Sequence, residues 1–179
     1  MAGLKARLLA LDAGAMKAAL DAQGYACVPA LLGAKDCAAL TNCYDGETGF
    51  RNHVIMSRHG FGEGEYKYFD DPLPALVQTL RDGLYAPLAE IANRWNEALG
   101  VDERFSPVHG DYLDHCHAAG QSRPTPLLLR YGPGDHNRLH QDLYGAEVFP
   151  LQATILLSDP ECDFTGGEFV LTEQRPRQQ

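Results

Sequence analysis

The chain has 179 residues, of which 45% are hydrophobic and 22% charged, values that suit a globular protein with one sizeable core. Its net charge of −9 argues against a strongly basic nucleic-acid surface, because phosphate binding is carried by lysine and arginine. No apolar run approaches the ~20 residues of a membrane span, and five cysteines without a C-x-x-C pair suggest reduced thiols in the cytoplasm, not a disulfide framework or a zinc ribbon.

Lys5 and Arg7 precede the patch Leu8-Leu9-Ala10-Leu11, but Asp12 interrupts it at once, as in a surface helix and unlike a signal peptide. Residues 4–22 read as an amphipathic helix weakened by Gly14 and ended by Gly24. A short strand over 25–29 and a helix over 33–43 follow, with Ala38, Leu40 and Cys43 on the helix's apolar face. Segment 50–69, FRNHVIMSRHGFGEGEYKYF, mixes aromatics, bases and three glycines and predicts a strand–loop–strand ribbon. Gly60, Gly62 and Gly64 give it a mobile tip, suited either to a substrate lid or to an ordinary edge hairpin.

Asp71-Pro72 predicts a helix cap with proline in the first turn. From there Leu73, Leu76, Leu80, Leu84, Leu88, Ile91, Trp95 and Leu99 recur at three- and four-residue steps, one buried stripe bent at Pro87. Trp95 reads as a core residue packed on a sheet. The last third turns to strands, at 127–132, about 138–143, 151–158 and 167–172. Within 151–158, Leu151, Ala153, Ile155 and Leu157 alternate with Gln152, Thr154 and Ser158.

Helices first and antiparallel strands after predict an α+β fold. The expected architecture is one domain over 1–179, in which residues 1–105 buttress the first part of a jelly-roll (double-stranded β-helix) core over 106–179. A jelly roll needs ~8 strands, and about half are accounted for after residue 106, so the core is expected to be incomplete at the C-terminus.

The chemistry concentrates in residues 127–142, LLLRYGPGDHNRLHQD. A strand leads to Tyr131, Gly132-Pro133-Gly134 turns the chain, and an extended segment carries His140-Gln141-Asp142. Residues i and i+2 of a strand project from one face, so an imidazole nitrogen and a carboxylate oxygen point at one place, as two cis metal ligands do. Two histidines and a carboxylate on one face of iron(II) define the non-haem oxygenase site. Only two of those three ligands are present, since no histidine follows Asp142.

His-x-Asp alone is weak evidence, arising by chance about once in two chains of this length and composition. His109-Gly110-Asp111 has the same spacing but sits in a stretch that reads as helix or loop, which favours His140 and Asp142. Strand alternation turns Arg130 to the face opposite Tyr131, and Gln141 away from the metal. His115 and His117 flank Cys116 but diverge on a helix, which argues against zinc.

Residues 130–142, RYGPGDHNRLHQD, resemble the iron-binding strand pair of the AlkB-type alkylation-repair demethylases. The stretch Phe164-Thr165-Gly166-Gly167-Glu168-Phe169-Val170-Leu171 is similar to the Gly-Gly-Glu strand of prolyl-hydroxylase-type 2-oxoglutarate oxygenases, and residues 24–40 resemble the strand-then-helix opening of such enzymes. The combination looks most like a bacterial 2-oxoglutarate/iron(II) oxygenase family assigned to oxidative demethylation of damaged DNA. The chain departs from the AlkB pattern at Leu129, where that pattern has asparagine.

The resemblance implies iron(II), 2-oxoglutarate and O2 as cofactors, with His140 and Asp142 as catalytic metal ligands and Tyr131 hydrogen-bonded to 2-oxoglutarate. It also implies a second histidine ligand and a 2-oxoglutarate-binding arginine further downstream, so the sequence reads as a truncated version of a longer protein. Damaged DNA or single-stranded nucleic acid is the expected partner. Phe61, Tyr66, Tyr68 and Tyr144 are the aromatics available to stack a flipped base, and Arg123, Arg130, Arg138, Arg175 and Arg177 fall near the proposed site in sequence. Two other readings stand beside it: a hydroxylase of a protein or small molecule, and a non-catalytic jelly-roll binding module.

Overall fold

The structure, a computed structural model, describes residues 2–143, 145–160 and 162–173. Tyr144, Arg175 and Arg177 lie outside the described residues. The expected single N-terminal helix is two: α1 (Ala2–Leu9) and α2 (Ala13–Gln23). The break falls at Asp12, whose carboxylate accepts the Ala15 amide at 2.9 Å and so starts a new helix instead of continuing the old one. Gly24 ends α2 in the left-handed conformation, φ 78°. No strand forms over 25–29.

Helix α3 (Ala34–Cys43) begins as expected, with Asp36 reaching back to the Gly33 amide at 3.3 Å. The same carboxylate holds Arg7 at 2.8 Å, and Arg7 Nε donates to the Leu31 carbonyl at 2.6 Å, which ties α1 to the start of α3. Cys37 and Leu40 face the core, whereas Ala38 is exposed.

The ribbon is present: β1 (Phe50–Ile55), a 3₁₀ turn (Met56–His59), β2 (Gly62–Glu63) and β3 (Glu65–Phe69). It is not an ordinary edge hairpin. Strand β3 pairs antiparallel with β1 on one side and with β4 (Leu127–Arg130) on the other, giving the order β1-β3-β4. Strand β2 pairs instead with β5 (His136–Asn137), Gly62 opposite Asn137 and Glu63 opposite His136. The sequence expects 127–132 and 138–143 to fold on each other. The Gly132–Asp135 turn instead sends the chain across to the ribbon tip.

Helix α4 runs from Ala75 to Leu99, starting after Pro74 and not at Asp71-Pro72. Proline disfavours the α conformation at the residue before it, so Leu73 stays non-helical and the helix begins one residue past Pro74. Pro87 lies inside the helix without ending it. The leucine stripe packs with α1, α3, Tyr44 and Phe69 into the main core, completed by Leu128 of β4. Trp95 is a correction: it lies off the sheet, where its Nε1 donates to Asp21 at 2.8 Å and joins α4 to α2. Leu99 is exposed, because the stripe outruns the protein it packs on.

A second cluster forms around Tyr85, Ala89, Ala92 and Phe105. Asn93 clamps Phe105 both ways: its Oδ1 accepts the amide at 2.7 Å and its Nδ2 donates to the carbonyl at 2.8 Å. Helix α5 (His109–Ala118) adds Tyr112, and Phe149 and Leu151 pack against the same group.

Residues 138–143, 151–158 and 167–172 carry no strand pairing. Alternation specifies which face is apolar, but a strand exists only with a hydrogen-bonded neighbour. The alternation is still expressed in part, since Ile155 and Leu157 pack on the main core and Leu151 on the second, while Ala153 is exposed. Gly166 and Gly167 adopt φ of 75° and 70°, a left-handed turn where a strand was expected to begin, and Phe169, Val170 and Leu171 are exposed. The described residues thus form a helical layer with two small antiparallel sheets.

Candidate metal centre

Strand β4 ends at Arg130, and the two carboxylates beside it decide that residue's role. Register places Arg130 directly opposite Glu65, and its Nε donates to that carboxylate at 2.7 Å while Nη1 meets Asp45 at 2.9 Å. The guanidinium also lies 4.3 Å from the centre of the Tyr44 ring. His53 contacts the other oxygen of Glu65 at 2.6 Å. Arg130 therefore ties β4 to β3 and to the turn after α3.

Tyr131 follows immediately and leans on the ribbon. A methyl group at Gly64, whose φ is 115°, would lie 2.8 Å from the Tyr131 ring, so only glycine lets the two segments approach this closely. Ile55, Gly64, Glu65, Arg130, Tyr131, Gly132 and Asp135 line an open hollow of about 400 Å³. Burial raises the Tyr131 phenol's pKa, and a hydrogen bond with Asn137 of β5 partly offsets this. The phenol remains a protonated donor at neutral pH. The Gly132 amide donates to Asp135 at 2.8 Å, and the Asp135 amide to the Gly132 carbonyl at 3.1 Å, which fixes the turn leading into β5.

His140 and Asp142 come together beyond β5. His140 Nε2 stands 3.6 Å from Asp142 Oδ1, and both side chains are about half exposed (45% and 47%). His140 Nδ1 lies 2.7 Å from the Arg138 carbonyl oxygen. A carbonyl only accepts, so Nδ1 carries the proton and, in the neutral ring, Nε2 presents its lone pair toward Asp142. Metal-binding histidines are set in this way, one nitrogen tethered to a carbonyl or carboxylate and the other left to bind. Asp142 is tethered too, its Oδ2 accepting from Gln152 Nε2 at 3.0 Å.

Each tether leaves one donor atom facing the partner side chain. Two cis bonds of ~2.1 Å set donor atoms ~3 Å apart, so the pair fits as two of three ligands once the two exposed side chains close by roughly half an ångström from 3.6 Å. No group of three or more His, Cys, Asp and Glu stands ready to hold a metal among the described residues. The pair lies on an exposed segment and not on a barrel wall.

Gln152 is the residue that sequence reading misses. Its polar place in the 151–158 alternation marked it as outward-facing, and that same exposure lets it reach Asp142. Packing explains its position. Phe149 and Leu151 are pinned on the aromatic cluster, and the Gln121 side chain clamps Glu147 by accepting its amide at 2.7 Å and donating to its carbonyl at 3.0 Å.

The rival pair is otherwise engaged. His109 Nδ1 bonds Asp82 at 2.8 Å with its ring tilted over Tyr85, and Asp111 accepts from Ser106 at 2.7 Å. His115 meets Glu147 at 2.9 Å, and Cys116 is buried.

Residues 64–179 match a family model described as "Oxygenase, catalysing oxidative methylation of damaged DNA". Two uncharacterized proteins of Mycobacterium tuberculosis, from strains CDC 1551 / Oshkosh and ATCC 25618 / H37Rv, are each 53% identical over 111 residues, covering 62% of this chain. The match covers 48% of each relative, so the chain spans about half the length of the curated proteins it resembles. No solved structure matches.

Proposed function

The chain belongs to this family of oxygenases acting on damaged DNA, and from that premise we propose that it is part of an iron(II)- and 2-oxoglutarate-dependent dioxygenase that removes methyl groups from alkylated bases. The observation that carries the reading is the pair of tethers at the candidate centre. His140 is fixed with Nε2 available, and Asp142 is fixed with Oδ1 facing it. We read the two small sheets as the beginning of a jelly roll, with the third ligand supplied elsewhere in the whole protein.

Held by His140 and Asp142, iron(II) with 2-oxoglutarate and O2 supplies the oxidation of an unactivated C–H bond. The chain's own residues bind and orient. Asp142 contributes negative charge and His140 a neutral donor. Tyr131, whose phenol is protonated at neutral pH, donates a hydrogen bond to a cosubstrate carboxylate. The proposed direction is methyl loss, because oxygen placed on an N-methyl carbon gives an N-hydroxymethyl group, which releases formaldehyde and restores the base.

The acidic chain offers few cations for a duplex, so the proposed substrate is an unpaired or flipped base held largely by stacking. His59 and Phe61 stack at 5.4 Å on the ribbon tip, flanked by the exposed Arg58. The net charge of −9 favours the second reading, a hydroxylase of a protein or small molecule.

The test supplies the full-length protein with iron(II), 2-oxoglutarate and a methylated single-stranded oligonucleotide, and measures succinate, formaldehyde and the mass of the base. Stoichiometric loss of the methyl group is expected, abolished in His140→Ala and Asp142→Ala. Succinate without methyl loss would move the substrate to the second reading. Succinate production unchanged in both variants would end the metal assignment.

A further inference from the structure

We propose that the ribbon tip is a positioning element for His140, acting through the peptide of Arg138. The inference rests on the metal-ligand reading of His140. Arg138 is bonded on both sides of its backbone: its amide donates to the Phe61 carbonyl at 2.9 Å, and its carbonyl accepts from His140 Nδ1 at 2.7 Å. The residues just before it, His136 and Asn137, pair with Glu63 and Gly62. One two-stranded contact therefore sets the direction of the Arg138 carbonyl, and that carbonyl selects the Nδ1–H form of the imidazole.

The contact is local and easily broken. It consists of two residue pairs and one further amide bond. His140 is half exposed, with no surrounding core to hold its ring in place. Gly62 is the sensitive point. Its φ is 131°, and a methyl group there would lie 2.1 Å from the His136 carbonyl oxygen, a backbone atom that moves only if the strands part. Movement of the tip, for example when a ligand lands on Phe61, is thereby coupled to the orientation of a proposed metal ligand more than seventy residues away in sequence.

The experiment compares wild type, Gly62→Ala, Arg138→Pro and Phe61→Ala in the full-length protein. Arg138→Pro deletes the amide that reaches Phe61 but keeps the carbonyl. Phe61→Ala removes the aromatic ring but keeps the accepting carbonyl. The readouts are the ring ¹⁵N shifts of His140, assigned by their loss in His140→Gln, and iron(II) affinity measured without turnover.

Wild type and Phe61→Ala are expected to show the Nδ1–H form. Gly62→Ala and Arg138→Pro should shift toward the Nε2–H form that free imidazole prefers, with affinity weakened by about 10–100-fold, the usual effect of losing a ligand's supporting hydrogen bond. Circular dichroism checks that each variant folds, and Arg138→Pro decides if Gly62→Ala does not. Nδ1–H in every folded variant, or Nε2–H already in wild type, overturns the proposal. A tautomer shift in a protein that binds no iron(II) supports the positioning link and overturns the metal reading instead.

Discussion

Gln152 Nε2 donates to Asp142 Oδ2 at 3.0 Å, joining two segments ten residues apart. The bond leaves Oδ1 turned toward His140. A carboxylate on an exposed segment otherwise rotates freely, so the amide is what makes one oxygen the metal-facing one.

Gln152→Ala should therefore weaken iron(II) binding by about 10–100-fold while leaving thermal stability nearly unchanged, since Gln152 is exposed. Titration of the metal-free full-length protein with iron(II) checks this. Unchanged affinity in Gln152→Ala beside a large loss in Asp142→Ala would show that the carboxylate needs no support.

His109→Ala and Asp111→Ala should leave iron(II) affinity and succinate formation intact, because both side chains are committed to structural partners, Asp82 and Ser106. His109→Ala should instead lower stability by about 1–3 kcal/mol, through the lost bond to Asp82 and the lost packing on Tyr85. Denaturant unfolding and succinate assays on one preparation separate the two effects. Loss of turnover in folded Asp111→Ala would restore the 109–111 pair as the metal site.

Glu65 makes the sheet acid-sensitive. Burial raises its pKa, but hydrogen bonds and charge from Arg130 and His53 outweigh this and hold the carboxyl below its ordinary value. A group whose folded pKa is lowered stabilises the fold above its unfolded value, ~4.3, and loses that contribution as pH falls through the folded value. Glu65→Gln should have a lower Tm than wild type at pH 7, and the difference should shrink as pH falls below the unfolded value. A gap that stays constant as the solution is acidified would mean that Glu65 acts through packing alone.

Gly83 lies where α4 crosses α1, and a Cβ there would meet Leu8 Cδ1 at 2.6 Å. Gly83→Val places two further methyl groups in that contact and should cost about 1–3 kcal/mol by overpacking, although valine is the better helix former. A Tm equal to or above that of wild type would show that the two helices separate without penalty.

The pairing of His140 with Asp142 was legible in their spacing, since residues two apart on an extended segment share a face, and the two side chains lie 3.6 Å apart although the segment pairs with no strand. The tethers were not legible. Gln152 offers only a polar side chain in an alternating run, and the Arg138 carbonyl has no side-chain signature at all.

The sequence by itself determined the local features: the helix end at Gly24, the ribbon at 50–69, the leucine stripe of α4 and the turn after Tyr131. Each follows from forces acting within a few residues, such as backbone sterics, capping and periodic burial. Tertiary structure decided the partners. Strand β5 pairs with the ribbon tip and not with β4, the 151–158 alternation packs on two cores without becoming a strand, and Trp95 joins two helices instead of covering a sheet. A hydrogen-bonded partner belongs to a distant segment, and periodicity fixes only which face seeks one, not where that partner lies.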